Sequence, residues 1–128
     1  MLSMSRTPSL LDPEIVATLA LAGATTFSDK GIVSRAVLST PTLRVTLFGF
    51  AVGQELTEHA SSSRAIVQIL NGASDWIVEG KAMRLAAGEI LHMPPGARHA
   101  VRAGESFSML LTLVKEPTAA TEAPPDTN

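Results

Sequence analysis

The sequence contains no cysteine and few charged residues, and both shortages exclude classes of function. Without cysteine the chain has no disulfide, no thiolate metal ligand and no cysteine nucleophile. Charged residues make up only 17% of the chain, the net charge is -2, and no run of basic residues occurs. Because nucleic-acid binding depends on clustered positive charge, we expect no nucleic-acid partner.

Long apolar runs are also missing. The apolar stretch near the N-terminus, from Ile15 to Ala22, is shorter than the roughly 20 residues that a helix needs to cross a bilayer. It follows Asp12 and Glu14, whereas a signal peptide begins with basic residues. We therefore expect no membrane partner and a cytoplasmic location.

The chain does contain enough apolar material for one domain. Hydrophobic residues make up 45% of its 128 residues, which suits a compact protein with a single core. Residues 1–30 are expected to form an N-terminal arm with a short helix over about 13–22. Asp12 is typical of a helix N-cap, Pro13 of the first helical position and Gly23 of a helix end.

From Gly31 onward the apolar residues follow the spacing of β-strands. The pattern predicts strands over residues 31–38, 42–51, 56–59, 64–70, 75–78, 82–85, 89–93, 99–102 and 107–115. Turn-forming pairs such as Asn71-Gly72 and Glu79-Gly80 separate them, which favours an antiparallel sandwich or barrel. Residues 116–128 lack large apolar side chains and are expected to form a disordered tail.

One stretch, from Gly88 to His99, combines turn and metal-binding residue types. Its Pro-Gly pair fits the central positions of a type II turn, where glycine accepts a positive φ. If this turn closes a two-residue hairpin, His92 faces His99 with their Cβ atoms about 5 Å apart. A type II turn splays twisted strands, however, so a longer loop would break this pairing.

The same stretch resembles the second sequence motif of the cupin superfamily, in which glycine, proline, glycine and histidine recur at fixed spacing. Here these residues are Gly88, Pro94, Gly96 and His99. The resemblance covers about residues 31–115 and implies a small single-domain cupin. The implied fold is all-β, an antiparallel jelly-roll barrel, with the short helix preceding it.

The first cupin motif is similar but incomplete. Gly53, His59 and Gly72 lie at the separations of that motif. Ser61 and Ala65 stand where the family has a second histidine and a glutamate. Since those positions hold a metal in the family, the resemblance implies His59 and His99 as ligands and leaves two others absent.

Two functional classes therefore stay open. A divalent transition metal such as Mn, Fe, Ni, Cu or Zn usually takes three or four protein ligands, and His92 is the candidate for a third beside His59 and His99. The first class is a metal-binding cupin that acts on or senses a small molecule inside the barrel. The second is a non-catalytic, metal-free cupin that binds a small molecule or serves as a dimeric scaffold.

The apolar strands also predict self-association. A segment such as Ala65 to Leu70 is apolar on both faces, which is more apolar surface than one core can bury. We expect a homodimer joined sheet to sheet, with the N-terminal segment crossing over. Gln68, which lies within this strand, is expected to make a hydrogen bond between sheets or across an interface.

Overall fold

The structure of the protein is a computed structural model that describes residues 8–117. These residues form nine strands, each within two residues of its predicted bounds, so the predicted strands are confirmed. The strands are β1 (Val33–Ser39), β2 (Leu43–Phe50), β3 (Glu55–His59), β4 (Arg64–Asn71), β5 (Ala73–Val78), β6 (Lys81–Ala86), β7 (Ile90–Met93), β8 (His99–Arg102) and β9 (Phe107–Val114).

The strands form two antiparallel sheets that pack face to face. The five-stranded sheet has the order β1-β2-β9-β4-β7, and the four-stranded sheet has the order β3-β8-β5-β6. Alternate residues of each strand point between the sheets, as Ala65, Val67 and Ile69 of β4 do. The rings of Phe50 and Phe107 stack at 4.6 Å in this core. The expected all-β jelly-roll architecture is confirmed.

The helix predicted over residues 13–22 is absent from the structure. Two isolated turns form instead, in which the amide of Ile15 donates to the carbonyl of Asp12 and the amide of Ala24 donates to the carbonyl of Leu21. A helix of this length is marginal without tertiary cover, and Val16 is fully exposed. No helix in residues 8–117 has the length and apolarity that a membrane crossing needs. Residues 1–7 of the predicted arm and 118–128 of the predicted tail lie outside the described residues.

The turn at Pro95-Gly96 is of the predicted type, and of the two alternatives for the loop around it, the two-residue hairpin does not form. The amide of Ala97 donates to the carbonyl of Pro94, and Gly96 has a φ of 87°. Strand β7 pairs with β4 in one sheet, whereas β8 pairs with β3 and β5 in the other. The turn splays the chain from one sheet to the next, so His92 does not face His99.

Candidate functional site

The two histidines of the motifs, His59 and His99, lie side by side at one end of the barrel. They are directly opposite each other on the paired strands β3 and β8, and their ring centroids are 4.2 Å apart. Residues three apart on a regular strand point to opposite faces. A bulge between Leu56 and His59 lets the side chains of these two residues both point into the barrel. His59 is exposed and His99 is half-buried, so the pair lies where the interior meets solvent.

Backbone carbonyls orient both imidazole rings in the same way. Nδ1 of His59 is 2.8 Å from the carbonyl oxygen of Thr57, and Nδ1 of His99 is 3.0 Å from that of Ala97. A carbonyl only accepts, so each Nδ1 carries a proton, and in the neutral form of each ring Nε2 keeps its lone pair. Both imidazoles therefore offer a free acceptor nitrogen.

The neutral form of His99 is favoured by its surroundings. Burial lowers the pKa of His99, the hydrogen bond to the backbone carbonyl of Ala97 acts in the opposite direction, and the neighbouring His59 lowers it further. At neutral pH this imidazole is thus an acceptor or a metal ligand and carries no positive charge.

Behind the pair lies a cavity of about 170 Å³ between the two sheets. Among the residues that the structure describes, its polar lining consists of the two imidazoles and Ser61, and no carboxylate, lysine or arginine lines it. The rest of the lining is apolar: Phe48, Leu56, Ala65, Val67, Trp76, Met93, Val101, Met109, Leu111 and Leu113. The cavity is an apolar pocket with hydrogen-bonding imidazoles at its open end.

The only tryptophan of the chain, Trp76, is held rigidly in this wall. Its indole Nε1 donates to the hydroxyl of Ser74 at 2.7 Å, and that hydroxyl donates to the carbonyl of Leu85 at 3.3 Å. The Trp76 ring centroid is 6.2 Å from that of His99. The hydrogen bond from Ser74 to Leu85 was not predicted, because it depends on the β5–β6 pairing, which places Leu85 opposite Ser74.

His92 is not part of the site. In β7 the next residue, Met93, lines the cavity, so His92 points to the outside of the five-stranded sheet. There its Nε2 lies 2.8 Å from the guanidinium of Arg64, which also contacts Glu116 at 3.1 Å. The structure thus brings together His59 and His99 but separates the third candidate from them.

Ser61 and Ala65 occupy the same cavity as the histidine pair. These are the two positions at which the first motif departs from its pattern. Since Ser61 and Ala65 line the cavity together with His59 and His99, these four positions of the two motifs lie at one site. The sequence model of the family described as Cupin domain matches residues 46–114, more than half of the chain. The chain belongs to the Cupin domain family.

Solved structures of other cupin-like proteins agree with this assignment. A conserved protein of unknown function from Streptococcus pyogenes is 30% identical, with a TM-score of 0.74 over 88% of this chain and 99% of its own. A cupin 2 conserved barrel domain protein from Leptotrichia buccalis is 34% identical, with a TM-score of 0.70 over 74% of this chain and 46% of its own. KdgF from Halomonas sp. is 26% identical, with a TM-score of 0.62 over 69% of this chain and 84% of its own. No curated protein matches the chain.

The donor set of this cupin is smaller than a metal ion usually needs. Ser61 offers a neutral hydroxyl and Ala65 offers no donor, so two imidazole nitrogens face the cavity where three or four protein ligands are typical. Within residues 8–117, no three histidine, aspartate or glutamate side chains are grouped so that they could hold an ion. An ion at this site would depend on donors from a bound molecule or water.

Proposed function

We propose that this cupin binds a small, largely apolar molecule that carries one hydrogen-bond donor. The observation that supports the proposal is the chemistry of the cavity, whose apolar wall ends in two imidazoles with free Nε2 lone pairs. An apolar molecule that filled the cavity without a donor would leave these nitrogens desolvated, at a cost of roughly 1–3 kcal/mol.

The size of the cavity limits the ligand. A cavity of about 150 Å³ accommodates benzene, and the cavity here measures about 170 Å³. The ligand, or the part of it that enters the barrel, is therefore about the size of one six-membered ring with a single polar substituent. Within residues 8–117, His59 and His99 are the only titratable side chains in the lining, and we infer a binding or sensing role.

A divalent transition ion is a second candidate ligand of the histidine pair. The observation that favours it is that both Nδ1 atoms are held by backbone carbonyls, which is how proteins orient metal-binding histidines. Nε2 of His59 and Nε2 of His99 would hold the ion, and the bound molecule would complete its ligands. An ion there would supply Lewis acidity toward that molecule.

Phenol and toluene form a matched pair of probes, because they share a ring and differ in one hydrogen-bond donor. The fluorescence of Trp76 reports their entry, since this tryptophan lines the cavity. We expect phenol to bind about tenfold more tightly than toluene, because toluene leaves the acceptor nitrogens unpaired. His99→Phe, which keeps the ring and removes the acceptor, should abolish the preference.

His92→Ala is the control, because it removes an imidazole outside the cavity and should leave both affinities unchanged. Equal affinities for phenol and toluene, or no response of Trp76 to either, would contradict the proposed function. If His92→Ala lost phenol binding and His99→Phe kept it, the hydroxyl of phenol would bind outside the cavity.

The metal candidate is tested on protein purified without a polyhistidine tag, by elemental analysis and by calorimetric titration with Mn, Fe, Ni, Cu and Zn salts. Uptake should disappear in His59→Ala and His99→Ala, persist in His92→Ala, and weaken below about pH 6.5, where free histidine protonates. If no ion binds at neutral pH, the metal candidate is excluded and metal-free binding stands.

A further inference from the structure

The outer face of the four-stranded sheet carries charges of alternating sign. Cross-strand pairing of β3, β8, β5 and β6 places four charged side chains in one row, in the order Glu55, Arg102, Asp75 and Arg84. These side chains are 42–64% exposed, so they are available to a partner. From β3 to β6 the signs are negative, positive, negative and positive. Reversing the order of this row therefore exchanges every charge for its opposite.

A row of smaller side chains lies next to the charged row on the same face. Ile77 of β5 is flanked by Ala100 of β8 and Ala82 of β6, and Thr57 of β3 lies beside Ala100. All four residues line one open trough. Ile77 is 52% exposed and is the largest side chain of the row. The row thus has a projecting isoleucine on one side of its centre and a hollow above Ala100 on the other.

A second charged row borders the far side of the trough. The guanidinium of Arg98 lies 2.7 Å from the carboxylate of Glu58, and the amide of Glu79 donates to the carbonyl of Arg98. These contacts place the three residues side by side near the ends of β3, β8 and β5, with the signs negative, positive and negative. The trough therefore lies between two rows that carry the same charges in the same order.

A twofold axis that runs across the strands would bring like charges together. When two copies stack through the same face, the axis lies in the plane between them. An axis along the trough would lay the first charged row of one copy over the second charged row of the other. The facing pairs would then be Glu55 with Glu58, Arg102 with Arg98, and Asp75 with Glu79. Like charges that face each other oppose association, so the charges disfavour this orientation.

An axis parallel to the strands, between β8 and β5, has the opposite effect. Each row then faces a copy of itself in reverse order. The facing pairs become Glu55 with Arg84, Arg102 with Asp75, and Arg98 with Glu79, so each of these charges meets its opposite. Exposed ion pairs within one chain contribute little stability, so these side chains can turn toward a second copy with little loss.

The same axis makes the row of small side chains fit a copy of itself. Ile77 faces Ala100 of the second copy, and Ala100 faces the Ile77 of that copy. Thr57 faces Ala82 in the same way. A large side chain thus fills the hollow above a small one at two places, and the exposed apolar surface of Ile77 is removed from water.

We propose that a second copy of this chain docks on the outer face of the four-stranded sheet, with the twofold axis parallel to the strands between β8 and β5. This contact is separate from the strand β4, whose apolar faces predict self-association and which lies in the other sheet. Four strands spaced by about 4.8 Å and five residues rising about 3.4 Å each give a surface on the order of 300 Å². That is less than half of the roughly 800 Å² that each partner buries in a standard interface, so we expect weak association that salt reduces further.

Chemical cross-linking tests this contact separately from any other, because the chain has no cysteine of its own. Thr57→Cys and Ala82→Cys each add one thiol to the trough. In the proposed dimer these two positions face each other at about 10 Å, whereas two copies of the same position lie about 17 Å apart. A bismaleimide that spans about 10 Å, added at 100 µM protein, should link an equal mixture of the two variants at least fivefold more than either variant alone.

Charge reversal in both cysteine variants tests the pairing of the rows. Arg84→Glu places a carboxylate opposite Glu55 of the second copy, and we expect the linked fraction to fall about tenfold. Adding Glu55→Arg restores opposite charges at that position and should restore the linking. Arg44→Glu is the matched control, because it reverses an exposed arginine of β2 in the other sheet and should leave the linking unchanged.

Three results would overturn the proposal. The first is equal linking in the mixture and in the single variants. The second is an equal fall for Arg84→Glu and Arg44→Glu, which would reflect net charge alone. The third is a failure of Glu55→Arg to restore linking to Arg84→Glu. Trp76 fluorescence and far-ultraviolet circular dichroism establish that each variant is folded before its linked fraction is interpreted.

Discussion

Filling the cavity should make the protein more stable and unable to bind its ligand. Ala65 is the position to change, because it is 4% exposed, lines the cavity and lies on the interior strand β4 between β7 and β9. The substitution Ala65→Leu adds three carbon atoms that point into the space behind His59 and His99. No polar group of the site is altered by it.

The expected gain in stability follows from the burial of these atoms. Three buried carbons at about 0.8 kcal/mol each contribute about 2.4 kcal/mol, and ordering the leucine side chain costs about 0.5–1 kcal/mol. The net gain is about 1.5 kcal/mol. This lies below the limit for complete filling, which is about 4 kcal/mol for 170 Å³ at about 24 cal/mol per Å³. For a chain of this size the melting temperature should rise by about 5 °C.

Urea unfolding followed by Trp76 fluorescence measures the change, with Ala103→Leu as the matched control. Ala103 is fully buried in the core and does not line the cavity, so the larger side chain should destabilise the fold by about 1–3 kcal/mol. Phenol should no longer change the fluorescence of Ala65→Leu. If Ala65→Leu is destabilised like Ala103→Leu, or still binds phenol, the cavity is not the open space that the structure shows and the reasoning is refuted.

Two further predictions concern His99 and the glycines. The pKa of His99 is lowered in the folded chain, so the unfolded chain takes up a proton first as pH falls; the contribution of His99 to stability should be full above about pH 6.5 and decline below it. Urea midpoints measured at pH 7.5 and 5.5 should show a smaller decline for His99→Gln than for the wild-type chain. An equal decline in both would contradict this prediction. Gly72→Ala should cost clearly more than Gly80→Ala, although both have a positive φ, of 75° and 80°. A Cβ at Gly72 would collide with the carbonyl of Ser106, whereas Gly80 faces open space; equal melting temperatures for the two variants would disprove the close approach.

Local patterns were sufficient to predict most of the fold. The alternation of apolar residues located all nine strands of residues 8–117, because a strand with one buried face needs period two wherever it lies in the sheet. The turn at Pro95-Gly96 was predictable because proline fixes φ at the first central position and glycine accepts the positive φ of the second. The spacing around His59 and His99 likewise identified the two histidines that lie together.

The helix over residues 13–22 was predicted wrongly because its capping residues are only a weak local preference. Such a helix would need a surface that covers its apolar side chains, and Val16 is fully exposed in the structure. The orientation of the His92 side chain could not be predicted from the sequence either, because it depended on which strand β7 would pair with. The choice of β4 over β8 as its partner turned His92 outward to Arg64.

The sequence by itself determined the strand order along the chain, the turn chemistry and the motif spacing that singles out His59 and His99. Each of these depends on residues a few positions apart. The tertiary structure alone decided that Ser61 and Ala65 share a cavity with the histidine pair and that Trp76 forms part of its wall. These features arise from strands far apart in the chain, whose pairing is selected by the packing of the whole barrel and leaves no local pattern in the sequence.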